Sequence, residues 1–229
     1  KTIYCEKILS DKDGFMSIIC DIPAAEENRE YTVSINPCVP DMEYKNILTE
    51  DFSGNYANGY LVYNEIEISD TIGNHAPSIH ISKETGETRP RLLYSSKLLE
   101  NVETGQLTVK ADFMKPEKST SSKIYGITDF SGNKGVCVVM STQTALVLGC
   151  SGNPTQIQLS DNYETGRWYH LKLVFELGEK FAEVFLDDIS RGSFHYNSDI
   201  PNLSRVLDSE AVGGAHYLDN ISCVLGISK

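Results

Sequence analysis

The stretch that most constrains the fold is 164–189, ETGRWYHLKLVFELGEKFAEVFLDDI. Tyr169, Leu171, Leu173, Phe175 and Leu177 fall at every second position. Trp168, His170, Lys172, Val174 and Glu176 fill the places between. A period of two puts each set on its own face of an extended strand. Gly178-Glu179-Lys180 then offers a turn. Beyond it Phe181, Glu183, Phe185 and Asp187 alternate with Ala182, Val184, Leu186 and Asp188. Two alternating runs joined by a short Gly-containing loop predict a β-hairpin.

The rest of the chain repeats this texture. Short alternating or apolar runs recur at 61–70, 78–82, 91–96, 106–115, 123–132, 135–141, 145–150, 155–160 and 215–228, separated by Gly, Asn, Asp and Ser. Such spacing predicts an antiparallel β-sandwich. The segment 204–209 reads as a short helix or turn. Residues 1–46 hold three further β-like runs (2–9, 15–22 and 30–35) and a weak helical turn at 24–29. They are too few for a core of their own and read as extra strands or the remnant of an upstream domain, with the main domain at 47–229. At 229 residues the chain is long enough for that domain to bury a full core. No run approaches the ~18 apolar residues of a membrane helix, and no signal peptide is visible at the start.

The net charge of −12 argues against a nucleic-acid partner, whose phosphates require clustered Lys and Arg. It fits a secreted or cell-surface protein with a neutral ligand. None of the six cysteines forms a CxxC pair, which removes the common zinc and thioredoxin-type motifs. Cys137 and Cys150 flank GVCVVMSTQTALVLGC, where a turn near Gln143-Thr144 sets them opposite each other. That register permits a disulfide; two buried thiols are the alternative.

Three stretches, in order, carry a family resemblance: ILTEDFSG near 47–54, ETGRWYHLKLVFELGEKFAEVFLDD, and HYLDNISCV near the end. Together they resemble the concanavalin A-like lectin/glucanase superfamily, in its laminin-G-like texture, over 47–229. The hairpin departs from that pattern by ending in Leu186-Asp187-Asp188 where the family has Leu-Asp-Gly. The resemblance implies a jelly-roll β-sandwich with Trp168 in the core under the hairpin. It also implies a structural Ca²⁺ where the first and last strands meet, held by Glu50 or Asp51 together with Asp219, oxygen ligands that suit a hard cation. The superfamily holds lectins, glycosidases, lyases and adhesion modules, so it does not fix function.

Three stretches carry candidate chemistry. Taken as one strand, 61–70 places Glu65 and Glu67 on one face, and a bulge would bring Asp70 to join them. Retaining glycosidases need two carboxyls ~5–5.5 Å apart, and the run resembles a degraded Glu-x-Asp-x-x-Glu motif of laminarinase-like glycosidases. The alternative is the polar face of a solvated strand. The second stretch is a sugar-binding surface. Tyr56, Asn58, Tyr60, Tyr63 and Asn64 combine aromatic faces with amides, although the same composition suits an ordinary turn. The third is a lyase quartet of His80, Arg89, Arg91 and Tyr94, which needs a base and a cation; its spacing matches no lyase motif. The expectation is a carbohydrate-binding module, part of a larger glycan-recognition or glycan-processing system. A retaining glycoside hydrolase and a laminin-G-like adhesion module are the alternatives.

Overall fold

A computed structural model of the chain describes residues 7–10, 16–19, 42–53, 60–63, 66–70, 72, 75–82, 90–99, 102–118, 122–128, 135–150, 153–196 and 205–228. The chain divides into two units, Lys1–Val39 and Pro40–Lys229. In the first unit β1 (Lys7–Ser10) and β2 (Met16–Ile19) pair antiparallel. The run at 30–35 and the turn at 24–29 lie outside the described residues. In the second unit β3 (Met42–Glu50) runs antiparallel to β17 (His216–Ser228). The break expected between 46 and 47 therefore falls inside a strand, and 42–46 belong to the main sheet.

The second unit is an antiparallel jelly-roll β-sandwich. One sheet is ordered β12 (Asn153–Ser160), β11 (Leu146–Cys150), β10 (Gly135–Ser141), β9 (Ser122–Thr128), β16 (Arg205–Glu210), β7 (Arg91–Ser95) and β4 (Tyr60–Tyr63). The other is ordered β15 (Ile189–His195), β14 (Phe181–Leu186), β13 (Trp168–Glu176), β8 (Gln106–Met114), β17, β6 (Ser78–Ile81) and β5 (Glu67–Ser69), with β3 also paired to β17. We call these the seven-stranded and eight-stranded sheets. In β13 Tyr169, Leu171, Leu173 and Phe175 are buried, and in β8 Leu107, Val109, Ala111 and Phe113 are buried. Each large apolar side chain so placed contributes about 1.5–3 kcal/mol relative to exposure. The hairpin forms as its alternation predicts, with β13 and β14 in register from Leu171–Leu186 to Glu176–Phe181.

One polar contact ties the sheets together through the core. Ser209 on β16 donates its hydroxyl to the Ile124 carbonyl at 2.7 Å and accepts from His216 Nε2 on β17 at 2.7 Å. Full burial, with the charges of Lys115 and His80 adding to it, pushes the His216 imidazole down to about 3. It is therefore a neutral core group.

The structure corrects four expectations. The run 61–70 is not one strand: 60–63 belong to β4 in the seven-stranded sheet and 67–69 to β5 in the eight-stranded sheet. The chain changes sheets between them, and alternation continues across the crossing. The segment 204–209 is not a helix or turn but β16, paired with both β7 and β9. Trp168 is half-buried and shares a face with His170, opposite to Tyr169 and Leu171. It follows the strand's alternation rather than the role the resemblance implied. Finally, Glu50 stands opposite the buried Ile221, so it lies on the core side of its sheet, whereas Asp219 does not.

Cys137 and Cys150 are direct partners across β10 and β11, the register that the sequence predicts, but Cys137 is a buried thiol and not half of a disulfide, which is the alternative that register left open.

Candidate functional site

The outward face of the eight-stranded sheet carries polar and aromatic side chains in cross-strand rows. In β8, β13 and β17 the apolar residues point inward, which leaves Asp112, His170 and Asp219 outward. The register joins His170 to Asp112 and Asp112 to Asp219. The next row runs Trp168, Met114, Tyr217, His80, Glu67 across five strands. Directly opposed residues on one face are within contact distance, so strands far apart in sequence assemble one surface.

A bulge completes the first row. Along β17 the pairing with β8 passes from Asp219–Asp112 to Ser222–Lys110, one residue more than a regular ladder holds. Asn220 takes a left-handed conformation there, with φ of 48°, which Asn tolerates better than most residues. The bulge keeps Asn220 outward, and its Nδ2 donates to Asp112 Oδ2 at 2.8 Å. The other Asp112 oxygen accepts from His170 Nδ1 at 2.5 Å. His75, from the turn before β6, donates from Nδ1 to Asp219 Oδ2 at 2.9 Å, and its ring stacks on Trp168 at 4.0 Å and 18°. His80 stacks on Tyr217 at 4.3 Å and 11°, and its Nδ1 lies 3.5 Å from Glu67 Oε2.

Three imidazoles on one face thus turn Nδ1 toward a carboxylate. A carboxylate has only acceptor sites, so the two close pairs hold the hydrogen on Nδ1 and leave Nε2 as an acceptor. The Nε2 atoms of His75, His80 and His170 have no hydrogen-bond partner among the described residues. Burial raises the Asp219 carboxyl; the Asn220 N–H and His75 pull it down, and Asp112 nearby adds to the rise, for a net upward shift. Burial, and then the charge of Glu67, raise the Tyr217 phenol. Arrangements like this suit a hydroxyl-rich ligand: acceptors fixed in direction, amide and phenol donors, and half-buried aromatic planes.

The residues singled out in the sequence are dispersed by comparison. Glu67 joins the second row at a sheet edge, with its side chain 76% exposed. Asp70 is also exposed, and Glu65 lies outside the described residues, as do Tyr56, Asn58 and Asn64. Tyr60 packs on Tyr94 at 5.1 Å on the seven-stranded sheet, away from Glu67. Of Tyr63 only the backbone, opposite Arg91, is described. From the lyase quartet, Arg91 is bound to Asp208 and Tyr94 bonds the Ile47 carbonyl. Only His80 reaches the outward face, and Arg89 lies outside the described residues.

The expected calcium ligands do not converge. Glu50 Oε1 accepts from the Phe52 N–H at 2.9 Å, Asp51 Oδ1 accepts from Ser53, and Asp219 serves His75 and the Asn220 N–H. Among the described residues no group of three His, Cys, Asp or Glu side chains has metal-holding geometry.

The sequence reading missed His75, Asp112 and His170. Nor does it single out Asn220. The usable signal was a carboxylate in mid-strand: Asp112 stands between the apolar Ala111 and Phe113, and Asp219 follows the apolar Leu218.

No protein-family model matches the sequence, and no curated protein matches it. Several solved structures are similar in fold. One is a carbohydrate esterase from the Shiga toxin-encoding bacteriophage phi24B, at TM-score 0.58 and 13% identity over 80% of this chain and 99% of that one. Another is a sialidase, at TM-score 0.56 and 10% identity over 72% of this chain; the match spans only 17% of the sialidase. A third is botulinum neurotoxin type C, at TM-score 0.53 and 7% identity over 78% of this chain and 47% of that one. At such identities the likeness shows the fold alone, a jelly-roll β-sandwich.

Proposed function

We propose that the chain is a carbohydrate-binding module of a secreted or cell-surface protein, of concanavalin A-like type, and that sugar binds the outward face of the eight-stranded sheet. One observation carries this reading. Three imidazoles on that face have Nδ1 turned to a carboxylate and Nε2 without a partner among the described residues, beside half-buried Trp168 and Tyr217. Sugar hydroxyls donate to such acceptors, and pyranose C–H faces pack on aromatic planes. The fold relatives agree in kind: one is a carbohydrate esterase, one a sialidase, and one a toxin whose cell entry depends on two ganglioside molecules. The location proposed for the protein is supported by its net charge of −12.

Trp168 is the chain's one tryptophan and sits in the face itself, so its fluorescence reports on occupancy. Glycan-array hits titrated against the protein should change that fluorescence saturably, and His170→Ala should weaken binding about tenfold, the loss of one well-placed hydrogen bond in a desolvated site. A protein that retains no glycan and shows no fluorescence change would refute the reading and favour a protein-binding adhesion module.

A further inference from the structure

A second feature lies at the sheet edge next to this face. A cleft of about 300 Å³ opens between β12 of one sheet and the β14–β15 turn of the other, lined by Asp161, Arg167, Asp187, Ile189 and Arg191 among others. Its volume is at the lower end of the ~300–1,000 Å³ that small-molecule sites occupy.

The backbone is built to place Arg191 there. The β14–β15 pairing steps from Phe185–Ser190 to Val184–Gly192, so Arg191 is the extra residue of a β-bulge. Gly192 follows at φ of 136°, a conformation that favours glycine. Bulges re-aim a side chain out of the ladder, and here the re-aimed side chain is a guanidinium facing the cleft.

The charges say what kind of ligand fits. Arg167 is already committed: Nη2 donates to Asp187 Oδ2 at 2.6 Å, and Nη1 lies 3.7 Å from Glu164 Oε1. Arg191 and Asp161 have no hydrogen bond or ion pair among the described residues. Among the described residues the cleft therefore offers one donor fork and one carboxylate not engaged with each other or with a third group, and the two cancel in charge. A hydroxyl both accepts and donates, so a vicinal diol satisfies the two together. An anion would meet Asp161, and a cation would meet Arg191. Ile189, 57% exposed at the rim, supplies an apolar contact for a ring C–H face.

We infer that this cleft is a second sugar subsite, taking one uncharged pyranose residue by adjacent hydroxyls between Arg191 and Asp161. The inference rests on the carbohydrate-binding reading above. Asp187 links the two places: Oδ1 accepts the His170 N–H at 2.9 Å while Oδ2 holds Arg167. A glycan longer than the outward face then continues past the start of β13 and the end of β14 into the cleft.

The test is isothermal titration of the whole chain with neutral gluco-, galacto- and manno-configured di- and hexasaccharides, and with a hexauronate as the anionic probe. Arg Nε–H NMR signals are followed in parallel. For at least one neutral series, the hexasaccharide should bind more tightly than the disaccharide and shift the Arg191 signal. Arg191→Ala and Asp161→Asn should each remove about tenfold of the hexasaccharide affinity and leave the disaccharide unchanged. Should Asp161→Asn instead tighten hexauronate binding and leave neutral sugars untouched, the cleft is an anion site and the inference fails. If His170→Ala abolishes binding while both cleft variants match wild type, the subsite alone is refuted. Silence of the wild type toward every probe overturns both readings.

Discussion

Two regions of the sandwich each bury carboxylate groups, and they solve the problem differently. On the seven-stranded sheet Asp208 is fully buried. Arg91 grips it from Nε at 2.7 Å and from Nη2 at 2.6 Å, and Lys123 Nζ adds a contact at 3.0 Å. Burial alone would raise this carboxyl. The Arg91 hydrogen bonds and the Lys123 charge outweigh it, and the group titrates below the ordinary range. On the eight-stranded sheet Asp112 and Asp219 have side chains only 12% and 6% exposed, yet among the described residues neither carboxylate bonds an Arg or Lys. Their partners are imidazoles, an amide and a backbone N–H, and Asp219 titrates above its ordinary range. The first arrangement closes on itself. The second passes its polarity outward through free ring nitrogens. A carboxylate satisfied by cations stabilises a fold, whereas one satisfied by histidines equips a surface.

The largest expected effect breaks the closed side. Asp208→Ala removes the buried carboxylate that Arg91 and Lys123 share, leaving Lys123 with Glu210 at 3.6 Å, and should cost about 3 kcal/mol, measured by urea unfolding, with glycan affinity unchanged in the folded fraction. An Asp208→Ala protein as stable as wild type would erase the distinction. Next, Asp112→Ala frees both His170 and Asn220. Glycan affinity should fall about tenfold or more, while stability moves by only about 1 kcal/mol. The reverse pattern would make Asp112 a structural group like Asp208.

The pH dependence sharpens the contrast because the two shifts have opposite sign. Asp208 has a folded-state pKa below the unfolded one. Its contribution is complete above the unfolded value of about 3.9 and is lost as pH falls through the folded value. For Asp219 the folded-state pKa lies above the unfolded one. Its contribution is present below about 3.9 and is lost as pH rises through the folded value. Chemical denaturation at several pH values should therefore show the wild type losing ground to Asp208→Asn on acidification, and losing ground to Asp219→Asn as pH rises. Parallel slopes would contradict the assignment. The smallest effect belongs to the turn between β14 and β15. Asp187 and Asp188 both take positive φ, 53° and 61°, the two-residue hairpin geometry that favours glycine at the second place. Asp188→Gly should raise stability by about 1 kcal/mol and leave binding intact, since Asp187 keeps its bonds to His170 and Arg167.

What the sequence disclosed follows the range of the interaction. The β13–β14 hairpin is local, its partners within a few residues of the turn, and period two alone reveals it. The crossing inside 61–70 leaves no mark, because Leu61 to Asp70 alternate equally well whether the strand stays in one sheet or changes to the other. The outward site is hidden for a related reason. His75, Asp112, His170 and Asp219 come from four separate stretches, each with a single polar residue that looks like solvated surface. Only the register across β13, β8 and β17 sets them side by side. Asn220 adds a bulge that alternation does not foresee. Glu67, a catalytic candidate that reached this face, arrived there from β5 at the end of the sheet order.

The place of β17 has a consequence for how the protein assembles. Its one edge pairs with β8, and its other edge is divided between β6 at Tyr217 and β3 from Ile221 onward. Among the described residues β3 pairs with β17 alone, and the β5–β6 pair reaches the β8–β13 ladder only through β17, so these strands, more than a hundred residues away in sequence, join the sheet only once β17 is in place. Loop closure of that length must be completed before any of its contacts contribute. Folding of the eight-stranded sheet should be slow and single-step, with the outward row of His170, Asp112 and Asp219 appearing late, at the moment when Asp219 meets Asp112.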